Sequence, residues 1–246
     1  MAGACGQSSN VGLDDGGETE PDFAATETDF FQALKKTELK DQVLSFKCSP
    51  DIASGLGVDT SDVKSGFVRI LVRDEYIDLW LKIRARFLEG GMTSKVSVIL
   101  GTAGIGKSMF RWYLIWKWMR GDPDIAQFEF KDVRINMREI FYLVEKDGTT
   151  KQIPASSVSR APTSLALMDP CSIVEGKSHF FKMLIVTSSP SAVMGEVGKN
   201  SLTELRKLAF LYVMKWWSVQ ELKMITPDVV SSSDRCFYRG DFAFLL

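Results

Sequence analysis

Lys95-Val-Ser-Val-Ile-Leu100 runs straight into Gly101-Thr-Ala-Gly-Ile-Gly-Lys-Ser108, and Met-Phe-Arg-Trp-Tyr-Leu-Ile-Trp-Lys-Trp-Met-Arg follows over 109–120. The first block is a short apolar, β-branched run of strand length. The third is apolar or aromatic on nearly every side, as a helix packed on both faces must be, and Gly121-Asp-Pro123 stops it. Between them, Gly101, Gly106, Lys107 and Ser108 complete the spacing G-x-x-x-x-G-K-[ST]. In that pattern the glycines let the backbone curl until successive N–H groups point inward as a nest for phosphate oxygens. The helix opening near Gly106 adds the positive end of its dipole. Lys107 is expected to reach the β- and γ-phosphates, and the Ser108 hydroxyl to ligate Mg²⁺. The phosphate-binding stretch is thus Gly101, Thr102, Ala103, Gly104, Ile105, Gly106, Lys107, Ser108 and Met109. The bland alternative is a glycine-rich strand–helix turn with an incidental lysine.

Such a site needs a second acidic group for the metal, at the end of a neighbouring hydrophobic strand. Leu165-Ala-Leu-Met-Asp169 has that form. Asp169 is therefore assigned to Mg²⁺ with Ser108, on the strand adjacent to Val96–Leu100. Pro170 stands where a water-activating Glu often follows, so hydrolysis is expected to be slow. Glu175, a few residues on, could substitute for that catalytic acid, and Glu175 or Glu221 is the alternative to Asp169 should Asp169 lie on the far side of the sheet. A turn-initiating Asp before Pro170 is the competing account of Asp169. The run Met183-Leu-Ile-Val-Thr187 ends in Ser188-Ser-Pro190, where Ser188 or Ser189 could sense the γ-phosphate. No residue is selected as an arginine finger; Arg235 and Arg239 are the downstream candidates.

Away from the loop, Tyr76, Leu79, Trp80, Ile83 and Phe87 recur at helical spacing over 75–89, and Gly90-Gly91 ends the run. A shorter, imperfect helix is read over 29–45 from Phe30, Phe31, Leu34, Leu39 and Leu44, with loops around Cys48-Ser-Pro-Asp and Gly55-Leu-Gly-Val. Further strands are read at 128–135, 140–145, 165–168, 183–187 and 211–214. Asp147-Gly148 marks a hairpin inserted between 140 and 153. The alternation of strands and helices implies an α/β fold: a mostly parallel sheet flanked by helices, with a small β-hairpin insertion.

Residues 1–30 hold seven acids and no Lys or Arg. Few apolar residues interrupt them, so 1–28 is expected to be a disordered acidic tail. A helical and loop segment over 29–66 and the main domain over 67–246 complete the division. The remainder carries 30 basic against 24 acidic residues, while the whole chain has a net charge of −1. No motif supports direct nucleic-acid binding by that surplus. Four scattered cysteines (Cys5, Cys48, Cys171, Cys236) and the lone His179 do not make a zinc site of ordinary type. His179 is expected to be structural. No apolar run is long enough to span a membrane and no signal peptide is seen, so an intracellular setting, cytoplasm or nucleus, is expected.

Taken together, these segments resemble the P-loop NTPase module of the Crinkler effectors of oomycetes and the related retrotransposon hot spot proteins. Val72-Arg-Asp-Glu-Tyr-Ile-Asp-Leu-Trp80 resembles their Arg-x-x-Tyr…Leu helix, and Gly101–Phe110 their phosphate loop. Leu167-Met-Asp169 stands where they carry a strand with a terminal Asp, and Val186-Thr-Ser-Ser-Pro190 resembles their Ser-Ser-Pro strand. Met214-Lys-Trp-Trp-Ser-Val-Gln-Glu-Leu222 resembles their Met-Pro-x-Trp-Ser-x-x-Glu-Leu segment, with Lys215 in place of proline. The chain is expected to lack their ubiquitin-like header, Leu-Phe-Leu-Ala-Lys motif and nuclease-like domain, so secretion, host targeting and nuclease activity draw no support from these residues. The resemblance implies a regulatory nucleoside triphosphatase that takes ATP or GTP with Mg²⁺. The reading from another class is a non-enzymatic effector that binds a protein partner and carries a vestigial loop.

Overall fold

A computed structural model describes residues 26–58, 66–90, 95–102, 104–137, 140–158, 160–169, 180–188 and 209–225. The acidic stretch 1–25 lies outside them, as do Glu175, His179, Ser189, Arg235, Arg239 and three of the cysteines.

Helix α1 (Glu27–Lys36) opens on a reciprocal capping box. The Asp29 N–H donates to the Thr26 hydroxyl and the Thr26 N–H to the Asp29 carboxylate, so two donors at the helix start are satisfied at once. The helix stops at Thr37, short of the 29–45 span that spacing suggested. Leu39 and Leu44 instead lie in an antiparallel hairpin of β1 (Leu39–Lys40) and β2 (Val43–Lys47), turned by Asp41 and Gln42 at positive φ. Leu39 is exposed, so its helical phase was coincidence, whereas Leu44 and Phe46 alternate into the core as strand residues do. Within the stretch expected to be loop, Pro50–Gly55 forms the short helix α2. Strand β3 (Phe67–Leu71) then pairs with β2, Phe46 opposite Val68 and Leu44 opposite Ile70.

Helix α3 (Asp74–Glu89) follows, with Tyr76, Leu79, Trp80 and Ile83 buried and Gly90 ending it at φ +83°. Strand β4 (Val96–Leu100) leads through the glycine-rich loop into α4 (Lys107–Met119). Next come the four-residue α5 (Pro123–Ala126), β5 (Val133–Met137), β6 (Ile140–Val144) and β7 (Thr150–Ile153). The strand expected from Phe128 begins only at Val133. Glu129 adopts φ +50° between the buried Phe128 and Phe130, and Phe128 meets Trp80 and Phe87 of α3 edge-on. The short α6 (Ala155–Val158), β8 (Arg160–Met168), β9 (Phe180–Ser188), β10 (Ala209–Val213) and α7 (Val219–Ile225) complete the described chain.

Seven strands form the main sheet in the order β10-β4-β9-β8-β5-β6-β7. The first four pairings are parallel, and β6 and β7 add an antiparallel extension turned by Asp147-Gly148. The sheet is therefore mostly parallel, flanked by helices and carrying the expected hairpin. Its larger core joins Ile99, Ile185, Leu167 and Ile135 to α3, α4 and α1. Phe30 and Phe31 of α1 stack edgewise or tilted on Trp112 of α4, with ring centres 5.1 and 5.7 Å apart. The segment 29–58 thus shares one core with the sheet that follows it. Among the described residues, no helix is long and apolar enough to cross a membrane.

Candidate functional site

Parallel strands end together, so β4, β9, β8 and β10 deliver their carboxyl termini to one edge of the sheet. Leu100, Ser188 and Val213 lie in one register row there. Asp169 follows β8 at the same edge, because Met168 pairs with Val186 two residues before Ser188. The loop between β4 and α4 crosses this edge. It reverses through Gly104 at φ +75° and Gly106 at φ +94°, the latter capping α4. Gly106 is required for space as well as for φ: a Cβ there would lie 2.3 Å from the buried Tyr76 hydroxyl.

Lys107 opens α4 and turns its ammonium back over the loop. Its Nζ donates to the carbonyls of Gly101 and Thr102, each at 2.6 Å. Partial burial holds the Lys107 ammonium below the ordinary lysine range, and the nearby charge of Asp169 opposes that shift. Ser108 and Met109, in the same first turn, are half-buried. Ala103 lies outside the described residues.

Asp169 is not on the strand adjacent to β4, as expected; β9 lies between β4 and β8. The intervening strand supplies Thr187, whose Oγ1 donates to Asp169 Oδ1 at 3.2 Å. Arg111 of α4 donates to the same oxygen at 3.2 Å, and the Asp169 N–H donates to Asn136 Oδ1 at 2.6 Å. Arg111 is only 5% exposed and also donates to the Asn136 carbonyl. Asp169 and a carbonyl compensate the buried guanidinium through its Nη1, while its Nε has no hydrogen-bond partner. Thr187, Asn136 and Arg111 were not singled out from the sequence. Arg111 had a visible signal: it and Lys117 are the only charged residues in the otherwise apolar stretch 109–119.

Behind the loop lies a second cluster. Arg73, 1% exposed, makes a two-point contact with Glu221, Nε to Oε1 at 2.8 Å and Nη2 to Oε2 at 3.3 Å. Glu221 is thereby committed to a cation and is not a free acid. Burial pushes its pKa up, but hydrogen bonds from Arg73 and Ser218 outweigh that and leave it below the ordinary glutamate range. Burial raises the Tyr76 hydroxyl well above the usual tyrosine value, so it is a neutral donor at any physiological pH.

The chemistry at the sheet edge is that of hard oxygens and cations. A hydroxyl (Ser108) and a carboxylate (Asp169) are the donors Mg²⁺ prefers, and a lysine with helix-start N–H groups suits a polyphosphate. No group of three or more His, Cys, Asp and Glu stands together among the described residues, so a cage of protein ligands alone has no support there.

No family model matches this chain. Among curated proteins it is similar to Crinkler effector protein 15 and Crinkler effector protein 16 of Phytophthora infestans. Each is 28% identical over 142 residues. That alignment covers 54% of this chain but only 21% of either relative, so the chain spans about a fifth of the length of the proteins it matches. These similarities support a Crinkler-like relationship.

Proposed function

We propose that the chain binds a nucleoside triphosphate with Mg²⁺ at 101–109 and hydrolyses it slowly, as the regulatory module of a Crinkler-like effector. One observation carries this reading: the glycine-rich loop and Asp169 both lie at the carboxyl edge of a parallel sheet, and Arg111, one turn into the helix that the loop opens, holds Asp169 at 3.2 Å. Open α/β sheets take their ligands at that edge. On binding, Lys107 would exchange two backbone carbonyls for phosphate oxygens. Ser108 and Asp169 would hold the metal, Thr187 and Arg111 keeping the carboxylate oriented. Bound Mg²⁺ would neutralise charge on the β- and γ-phosphates.

The competing reading is a protein-binding effector whose loop no longer takes nucleotide. It draws on the fact that Lys107 and Asp169 both already have protein partners.

Thermal denaturation with ATP, GTP and a non-hydrolysable analogue separates the two. A hundredfold excess over Kd stabilises by about 2.7 kcal/mol, or about 5–10 °C in a domain of this size. No shift with any triphosphate would leave the interaction reading standing. Asp169→Asn keeps the shape and removes the charge. It is expected to abolish the extra shift that Mg²⁺ confers while leaving the metal-free shift nearly intact. Equal Mg²⁺ dependence in the variant would remove Asp169 from the metal site. Phosphate release measured alongside should be slow; fast turnover would mean that the catalytic acid lies elsewhere.

A further inference from the structure

We propose that Arg73, Tyr76, Trp217 and Glu221 form a clamp that presets the loop as an anion nest for a polyphosphate, by fixing three successive carbonyls from behind. The inference rests on the proposed nucleotide site and names the residues that position it.

The carbonyls of Gly104, Ile105 and Gly106 are each held by a different side chain. Trp217 Nε1 donates to Gly104 at 2.9 Å, Arg73 Nη1 to Ile105 at 2.8 Å and the Tyr76 hydroxyl to Gly106 at 2.8 Å. In a planar trans peptide the C=O and the following N–H point in opposite directions. Fixing those carbonyls therefore turns the N–H groups of Ile105, Gly106 and Lys107 away from the clamp. These amides lead into α4 through its cap at Gly106, where the dipole favours an anion and no intrahelical acceptor exists.

The clamp is built from two segments more than 130 residues apart in sequence. Arg73 precedes α3 and Tyr76 lies in its first turn; Trp217 and Glu221 come from the chain after β10. Arg73 joins them. Besides Ile105, its guanidinium donates to the carbonyls of Lys215 and Trp216 and to both oxygens of Glu221, and it lies 4.3 Å from the centre of the Trp217 ring. A planar five-donor fork is what such a node needs, and lysine could not replace it. Glu221 is held in turn by a capping box on α7: its carboxylate accepts from the Ser218 N–H at 2.6 Å, and the Ser218 hydroxyl accepts from the Glu221 N–H at 3.2 Å. Donors fixed in advance save the ligand the cost of ordering the loop, and that saving appears as affinity.

Two conservative substitutions test this. Tyr76→Phe removes one hydroxyl from the Gly106 carbonyl, which still accepts from the Phe110 N–H at 3.1 Å, so no buried acceptor is orphaned. Trp217→Phe removes the bond to Gly104, whose position is exposed and open to water. Titration of the full chain with inorganic pyrophosphate and with ATP–Mg²⁺ should show each variant binding about three- to tenfold more weakly, with the melting temperature of the free protein nearly unchanged. Hydrogen exchange of the free protein should rise over 101–110 and nowhere else. If the wild type binds and both variants bind as tightly, the clamp is wrong while the proposed function stands. Exchange that is unchanged over the loop, or raised throughout the chain, also overturns the clamp. A wild type that binds neither pyrophosphate nor any triphosphate overturns the proposed function and the nest with it.

Discussion

Replacing Lys107 by Ala is expected to weaken nucleoside triphosphate binding by about 1–3 kcal/mol, roughly five- to 150-fold in Kd. Lys107 is the one cation of the loop motif, and its Nζ sits over the carbonyls of Gly101 and Thr102. Charge-assisted bonds to phosphate would replace those two, and alanine offers neither set. The loop itself should survive, because the clamp holds Gly104, Ile105 and Gly106 without help from Lys107. Isothermal titration with ATP and GTP against the wild type reads the effect directly. Lys107→Arg is the informative companion, since a guanidinium keeps the charge but not the compact geometry. Unchanged affinity in Lys107→Ala would show that triphosphate, if bound, is held away from this loop.

Trp112→Ala should be the most destabilising single truncation, at about 3–5 kcal/mol. The side chain is 1% exposed and lies under Phe30 and Phe31, so its removal opens a cavity where α1 meets α4. Its indole Nε1 has no hydrogen-bond partner, so the whole cost is lost packing rather than an orphaned polar group. Urea denaturation should show a lowered midpoint, and heating a fall of roughly 6–20 °C in Tm. A loss below about 1 kcal/mol would mean that α1 does not share the core of the main sheet.

The elements set by short-range chemistry were legible in the sequence. The strand Val96–Leu100, the loop and the helix Lys107–Met119 follow from a β-branched run, fixed glycine spacing and an apolar stretch that Gly121 ends. Helix Asp74–Glu89 follows from its three- and four-residue apolar steps, and the hairpin at Asp147-Gly148 from its turn residues. Where periodicity was weak, local signals misled. Leu39 and Leu44 fell into helical phase with Phe30 and Phe31, yet the chain leaves the helix at Thr37 because Leu44 and Phe46 bury against Val68 and Ile70. The turn that allows this, Asp41-Gln42, contains no glycine to announce it.

Single residues of the candidate site could be named from spacing: Lys107 and Ser108 lie in the first turn of a readable helix, and Asp169 directly follows a readable strand. Their surroundings could not. Strand order placed β9 between β4 and β8, so Thr187 became the neighbour of Asp169, and the rotation of α4 carried Arg111 to the same carboxylate oxygen. The meeting of Arg73 and Glu221 behind the loop spans 148 positions of chain. Propensity and periodicity act over a few residues, which is why the sequence alone determined the strand, the loop and the helices. Only the packing of the sheet decided which distant side chains share a hydrogen bond there, since that depends on strand order and helix rotation, which no short window of sequence encodes.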